Sequence, residues 1–341
     1  MIINAYATHR DPPSLEFPHR LGGRRDRSDP ELGPHLKGFM GFVMDRGKRP
    51  MTAMRYGVLR HLERVRHHIS FEMESAQLPA LERWAQAANA ILLRAEDSTV
   101  RAPDSKVLVD PVTGDPEPGA VLPYPVDAVA RKAATEQMLE ERGIHVPSHL
   151  PPCVSAIEVE LREPRDVAAR ILALFVCAAR AEGLAANEPL PVATMRQRMP
   201  LGFAALSPKE TAFMDATEPA RQDVINHVWR YEAILPLAWS LGIVESLPFP
   251  AAICDVPALA KTLFGLDGDA FVASARLRPV GEILAALDVT FRIHWAVSDA
   301  RAKQSAAPDG VEPGAVAERH HALNWLTRFA DAEWDRVPTP T

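Results

Sequence analysis

The chain has 341 residues, a length that favours two domains, each able to bury a sizeable core. Apolar residues make up 47% of it and charged residues 24%, which is typical of a soluble globular protein and not of a disordered or fibrous one. Residues 1–70 carry 13 Lys+Arg against 7 Asp+Glu, whereas the rest carries 25 against 37. A basic stretch can bind nucleic acid, but a sequence pI near 6.1 and scattered arginines favour an ordinary solvated surface.

The cysteines and the apolar runs indicate the cellular compartment in which we expect the protein. Cys153, Cys177 and Cys254 lie far apart, so neither a disulfide framework nor a zinc motif is predicted and a reducing cytoplasm fits best. The longest apolar run, 171–179, has about half of the ~18 residues that a membrane span needs. The N-terminus also lacks the pattern of a signal peptide. We therefore expect a cytoplasmic protein that does not enter a membrane.

The first third of the chain mixes strand and helix patterns. We predict strands at Met1–Thr8 and Ile69–Met73, a long loop at Asp11–Pro34, helices at His35–Met44, Thr52–His67 and Leu78–Ala90, and a hairpin of Ile91–Arg94 with Lys106–Val109. Arg64 is placed on the exposed polar face of its helix. Residues 1–112 thus form a small α+β domain, and the Pro/Gly-rich residues 113–125 form a linker.

From residue 126 onward, helix patterns follow one another. We predict helices at Val126–Arg142, Pro164–Glu182 with Gly183 closing it, Ser207–Met214, Pro219–Gly242, Asp255–Leu263, Asp269–Ala275, Pro279–Ala302 and Pro313–Phe329. They show no repeat of 34 or 40 residues. Residues 126–334 are therefore predicted to be a larger, irregular all-α domain, followed by a polar tail at 335–341.

The stretch from Asp223 to Gly242 organises this domain. Its apolar residues recur at helical spacing and cover more than one face, which predicts a helix enclosed by others. Arg230 and Glu232 lie beside its apolar run, where a charge must be paired and hydrogen-bonded. Pro236 is expected to kink the helix and to free the carbonyl of Glu232.

Several ordered motifs in this domain resemble one family. Between residues 131 and 334 the chain reads RKAATEQMLEERGI, RYEAILPLAWSLGIVESLPFP, ARLRPVGEILAALD, IHWAVSDAR and ERHHALNWL. This order resembles the bacterial domain of unknown function 4272 family, and residues 1–120 resemble an N-terminal extension that some members carry. The resemblance implies a helical fold and a bacterial source. It implies no activity, catalytic residue or cofactor.

A set of charged residues in the helical domain has two interpretations. Asp288, Arg292, Trp295 and Asp299 form one stripe of the Pro279 helix, beside an apolar stripe. The set comprises Arg230, Glu232, Arg276, Arg278, Asp288, Arg292, His294, Asp299 and Arg319. It could be a structural ion network that fixes the register of the helices, or an arginine-lined pocket for an anionic ligand. We expect Arg292→Ala to destabilise the helical domain more than Arg64→Ala destabilises the N-terminal domain.

The remaining chemistry-bearing residues give no recognised motif. Glu318 and His321 make a single E-x-x-H without the second copy that a di-iron bundle needs, so we predict no metal site and no cofactor. His294 beside Trp295 is interpreted as a core histidine. No dinucleotide, phosphate-loop, zinc-protease or nucleophile-elbow pattern is present.

Three functions remain open at this point. The first is a non-enzymatic protein that binds a protein partner through its helical domain. The alternative is an enzyme or small-molecule receptor with an anionic ligand beside Arg230, Glu232, Arg292 and His294. The third is nucleic-acid binding by the basic N-terminal domain, which would weaken steeply with salt.

Overall fold

The computed structural model describes all 341 residues as two compact units. The sheet unit comprises Met1–Ala133 and Pro147–Val159, and the helical unit comprises Ala134–Val146 and Glu160–Thr341. An α+β unit is thus followed by an all-α one, as the sequence predicted. No helix has both the length and the apolarity needed to cross a membrane.

One antiparallel sheet forms the centre of the sheet unit. Its strands are β1 Ile2–Ala7, β2 Arg20–Asp26, β3 His67–Glu72, β4 Ala90–Arg94, β5 Thr99–Arg101 and β6 Val107–Val109, in the spatial order β2-β3-β1-β4-β5-β6. Its helices are α1 Leu32–Val43, α2 Ala53–Arg64 and α3 Leu78–Ala87. As predicted, the side chain of Thr52 caps α2 by accepting the Arg55 N–H at 3.3 Å.

The side chains of β1 alternate between the two faces of the sheet. Ile3, Ala5 and Ala7 pack with the buried residues of α3, whereas Tyr6 packs with those of α1 and α2. Side chains from one strand therefore contribute to two separate cores, and this period of two is the reason that the strand could be predicted.

Two strands of this sheet were not predicted. β2 lies in the segment predicted as a loop, and it is an edge strand whose residues are all exposed or half-buried, so it has no apolar alternation to detect. β5 lies between β4 and β6, so the predicted hairpin is a three-stranded meander instead. A strand of three residues is too short to show a period.

The side chain of Arg64 corrects a second expectation. Its Nη1 pairs with Glu158 Oε2 at 3.0 Å, and the carboxylate of Glu158 is buried. The side chain of Arg64 is itself mostly buried, so it does not lie on an exposed polar face. Arg64→Ala is therefore not a surface control for a buried arginine, because it would strand the carboxylate of Glu158.

The helical unit is an irregular bundle. Its helices are α4 Val126–Glu141, which begins in the sheet unit, α5 Pro164–Ala185, α6 Val192–Arg198, α7 Pro200–Ala204, α8 Pro208–Asp215, α9 Arg221–Val228, α10 Arg230–Ser240, α11 Val256–Phe264, α12 Gly268–Ser274, α13 Val280–Ala302 and α14 Pro313–Leu326. Apart from α6, α7 and the central helix, each was predicted to within three residues at both ends. α10 packs on α5, α11 and α14, and all of its residues but the first are buried.

The predicted central helix is divided into two. α9 ends before Trp229 and is largely exposed, so only α10 is enclosed by other helices. The break does not fall at Pro236, which lies inside α10. A proline removes only one hydrogen bond of a helix, and the helix continues past this residue. The enclosure was therefore predicted correctly for the second half of the segment and wrongly for the first.

Several of the predicted capping residues lie at helix termini in the structure. Ser207 and Glu210 form the predicted capping box at α8, and the Asp255 side chain caps α11. Gly143 follows α4 with a φ of +73°, as a terminating glycine should. Gly183 does not close α5, since its φ is not positive; a Cβ there would instead come within 3.0 Å of the Glu188 carbonyl oxygen.

Buried histidines in the sheet unit predict a loss of stability in acid. Burial lowers the pKa of His61 to about 4, from an ordinary value of 6.5, although its Nε2 is 3.0 Å from the Tyr6 carbonyl oxygen. The unfolded chain therefore binds more protons below pH 6.5, so the free energy of unfolding falls as the pH drops from about 6.5 to about 4. At ~1.4 kcal/mol per pKa unit, His61 accounts for on the order of 3 kcal/mol.

Urea unfolding at about pH 7 and about pH 4 measures this effect. The wild-type protein should lose stability over this interval, and His61→Gln should lose less of it. An identical pH dependence in the two proteins would contradict the assignment to His61.

Candidate functional site

The predicted charged residues take part in several ion pairs of the helical unit, and the first of them lies within α13. Arg292 Nε donates to Asp288 Oδ2 at 2.9 Å and Arg292 Nη2 to Asp288 Oδ1 at 3.2 Å, one helical turn apart. Arg292 Nη1 also contacts Glu136 Oε1 on α4 at 3.2 Å. The side chains of Arg292 and Asp288 are 0% exposed, so this pair is part of the core.

The second pair joins α10 to α14. Glu232 Oε2 accepts from Arg319 Nε at 3.0 Å and from Arg319 Nη2 at 2.9 Å. The other carboxylate oxygen of Glu232 accepts the Cys254 N–H, and Arg319 Nη1 donates to the Pro248 carbonyl at 2.7 Å. Both side chains are at most 3% exposed, so one buried pair fastens two helices and the loop between α10 and α11.

The third pair is only partly covered. Arg230 Nη1 lies 2.8 Å from Glu318 Oε2, and both side chains remain about one-fifth exposed. Burial raises the pKa of Glu318 above its ordinary value, although the guanidinium of Arg230 opposes this shift. Arg230 also lines a pocket of about 630 Å³, together with His227, His321 and Trp334.

The other predicted residues lie apart from these pairs. Arg278 donates to the carbonyls of Trp239, Val244 and Glu245, and exposed Arg276 donates to the Ala275 carbonyl. Asp299 pairs with Lys303 at 2.7 Å. The His294 and His320 rings meet edge to face with their Nδ1 atoms 2.7 Å apart, and burial lowers the pKa of His294.

The structure thus distributes the predicted residues instead of gathering them at one cavity. Asp288 and Arg292 form one pair, Glu232 and Arg319 a second, and Arg230 pairs with Glu318. Buried guanidinium groups that are already bound to carboxylates have few donors left for a ligand. This arrangement holds helices together, and Arg230 also lines an open pocket.

A different surface of the helical unit is both concave and apolar. It is a groove of about 420 Å³ lined by Leu172, Ala179, Leu190, Thr194, Met195, Arg198, Met199, Pro200, Leu201, Gly202, Leu263, Phe264, Leu266, Gly268 and Asp269. These residues come from α5, α6, α7, α11 and α12, from the segment before α6, and from the short connections that contain Met199 and Leu266. We call it the apolar groove.

Gly202 brings one wall of the apolar groove close to its floor. A Cβ at this position would lie 2.7 Å from the Leu172 carbonyl oxygen, so only glycine lets the backbone of α7 approach α5 so closely. α6 and α7 together then carry Met195 and Met199 along the groove. Methionine side chains are flexible and polarisable, which suits a surface that must adapt to another apolar shape.

Two large apolar side chains at the apolar groove are exposed. Phe264 is 63% exposed, although its ring packs at a steep angle against that of Phe175, and Leu190 is 53% exposed. Scattered exposed apolar residues are ordinary, but here both line one concavity. This surface was missed in the sequence, because residues 184–206 have a weak helical pattern and the facing residues come from distant segments.

Comparison with known proteins places most of the chain in one family. A family model described as "Domain of unknown function (DUF4272)" matches residues 131–337. No curated protein and no solved structure matches the chain.

Proposed function

Because the chain belongs to the DUF4272 family, a domain of unknown function, we propose a function from the helical unit itself. The protein binds a segment of another protein in the apolar groove, and the segment is amphipathic and basic. The observation that carries this proposal is that Leu190 and Phe264 are both exposed at one apolar concavity.

The chemistry of the apolar groove supports a peptide ligand. Its walls are mostly aliphatic, methionine and phenylalanine side chains, and Arg198, Asp269 and Thr194 are its polar residues. Amphipathic helices bind in such grooves through apolar anchors at positions i, i+3, i+4 and i+7. Covering Phe264 and Leu190 would remove apolar area from water, which stabilises a complex by about 25 cal/mol per Å² before the costs of association.

The charge of the helical unit supports a basic segment. Ala134–Val146 and Glu160–Thr341 together contain 19 Lys+Arg and 26 Asp+Glu. This excess of acidic residues over the whole unit raises the association rate of a basic partner. By contrast, the sheet unit has 19 Lys+Arg and 18 Asp+Glu, a balance that lends no support to nucleic-acid binding.

The pairing of the buried charges favours binding over catalysis. Arg292 and Arg319 lie in the core with their carboxylates, so they are unsuited to stabilising charge on a substrate. We further propose that the protein lies in the cytoplasm of a bacterial cell, a reducing compartment that suits its three free cysteines.

Selection from a library of random peptides of about 16 residues, presented to the full chain, tests this function. We expect recovered peptides to carry bulky apolar residues at helical spacing, together with lysine or arginine. Recovery of acidic or wholly polar peptides, or of none that bind after purification, would contradict the proposal.

A further inference from the structure

Residues 332–341 fold back against the helical unit, and we call this segment the arm. Trp334, which is only 3% exposed, anchors it. Its indole lies 5.6 Å from that of Trp325 and 4.5 Å from the His321 ring, measured between ring centroids. Both of these rings belong to α14, so the arm packs against the helix that it follows.

Directed hydrogen bonds hold the arm as well. The carboxylate of Asp335 accepts from Ser207 Oγ at 2.6 Å and from the Lys209 N–H at 2.9 Å. It thereby satisfies one of the N–H groups that the first turn of α8 leaves without a partner inside the helix. Arg162 Nη2 donates to the Ala332 carbonyl oxygen at 2.7 Å. The residues that receive the arm, which we call the arm site, are Arg162, Ser207, Lys209, His321 and Trp325.

A strained hinge, residues 328–331, turns the chain back from α14 to the arm. Arg328, Ala330 and Asp331 have φ angles of +50°, +57° and +48°. This left-handed region favours glycine, yet residues 327–332 read TRFADA and contain none. Because aspartate tolerates the region better than alanine or arginine, the strain of the closed hinge lies mainly at Arg328 and Ala330.

Two chains can release this strain without losing the contacts of the arm. When the hinge straightens, the arm leaves its own chain, and the arm site is left with an uncovered Trp325 indole and an uncapped α8. The arm of a second copy supplies the same contacts there, and strain in a short hinge favours such an exchange. We propose that two copies of this chain exchange their arms and form a domain-swapped dimer, in which each arm fills the arm site of the other copy.

The balance between monomer and dimer depends on the hinge and on concentration, because the arm makes the same contacts in both. Association costs translational and rotational freedom, which favours the monomer in dilute solution, whereas release of the hinge strain favours the dimer in concentrated solution. The apolar groove contains no residue of the arm or of the arm site, so this inference goes beyond the proposed function and does not depend on it.

Two substitutions of Ala330 shift the balance in opposite directions. Ala330→Gly relieves the closed hinge and should raise the dimer dissociation constant by about tenfold or more. Ala330→Pro fixes φ near about −65°, which the closed hinge cannot adopt, and should lower that constant by about tenfold or more. Sedimentation of the full chain between about 1 μM and about 1 mM, after prolonged incubation, measures the constant for each protein.

Two controls identify the exchanged arm as the cause of dimerisation. Trp334→Ser, added to the Ala330→Pro protein, removes the anchor and should restore the monomer. An excess of a synthetic peptide of residues 332–341 should dissociate the dimer by filling the arm site, whereas the same peptide carrying Trp334→Ser should not.

A monomeric Ala330→Pro protein at about 1 mM, or a dimer that persists after Trp334→Ser, would overturn the proposal. Circular dichroism shows whether each variant is folded. If Ala330→Pro does not fold, the wild-type protein and Ala330→Gly decide the question. The wild-type protein should dimerise more strongly, and equal dissociation constants or the absence of any wild-type dimer at about 1 mM would also overturn the proposal.

Discussion

Replacing Arg292 with alanine is expected to lower the free energy of unfolding of the helical unit by about 3–5 kcal/mol. Arg292 is 0% exposed and holds Asp288, also 0% exposed, through two hydrogen bonds. Its loss would leave the Asp288 carboxylate charged in the core without a counter-ion. Equilibrium unfolding in urea, followed by circular dichroism, measures the change in midpoint.

The same helix provides a matched control. Asp299 on α13 and Lys303, which follows its last residue, form an i,i+4 pair as Asp288 and Arg292 do, but the Lys303 side chain is 68% exposed. Lys303→Ala should therefore change stability by only about 0–1 kcal/mol. Comparable losses for the two variants would mean that the Asp288–Arg292 pair is hydrated, which would contradict its assignment to the core.

The second large effect is expected at Arg319. Arg319→Ala should also cost about 3–5 kcal/mol, because it removes both bonds to Glu232 Oε2 and the bond to the Pro248 carbonyl. Arg230→Ala should cost less, since the Arg230–Glu318 pair is partly exposed and solvent can compensate each charge. The same urea titration ranks the two variants.

A double replacement distinguishes the stability cost of an unpaired buried charge from the cost of lost packing. Glu232→Leu with Arg319→Met removes both charges, so it should be more stable than Arg319→Ala alone. If the double variant were the less stable of the two, the penalty would come from packing and backbone hydrogen bonds, and the reading of Arg319→Ala as a stranded carboxylate would be wrong.

The parts of the fold that were predictable are those with a short-range signal. The period of two in β1 and the capping residues Thr52, Ser207 and Asp255 depend only on near neighbours in the chain. β2 was missed because an exposed edge strand needs no apolar alternation. Gly183 was misread because the residue with a left-handed φ after α5 is Asn187, at +58°.

The candidate sites were less predictable, because tertiary packing selects the partners. The i,i+4 spacing indicated Asp288 with Arg292, but nothing local indicated that Glu136 joins them from α4. Arg230 and Glu232 are two residues apart on α10, yet they pair with Glu318 and Arg319 separately. The apolar groove assembles residues from 172 to 269, and such a surface has no sequence period.

The affinity of one selected peptide for two variants tests partner binding by the apolar groove most directly. Phe264 is 63% exposed and lines the groove, whereas Ile253 is 62% exposed and does not. Fluorescence anisotropy should show that Phe264→Ser weakens binding by about 30-fold, equivalent to ~2 kcal/mol for an aromatic anchor, while Ile253→Ser leaves it unchanged. Unchanged affinity for Phe264→Ser, or an equal loss for Ile253→Ser, would contradict the proposal that the apolar groove is the binding site.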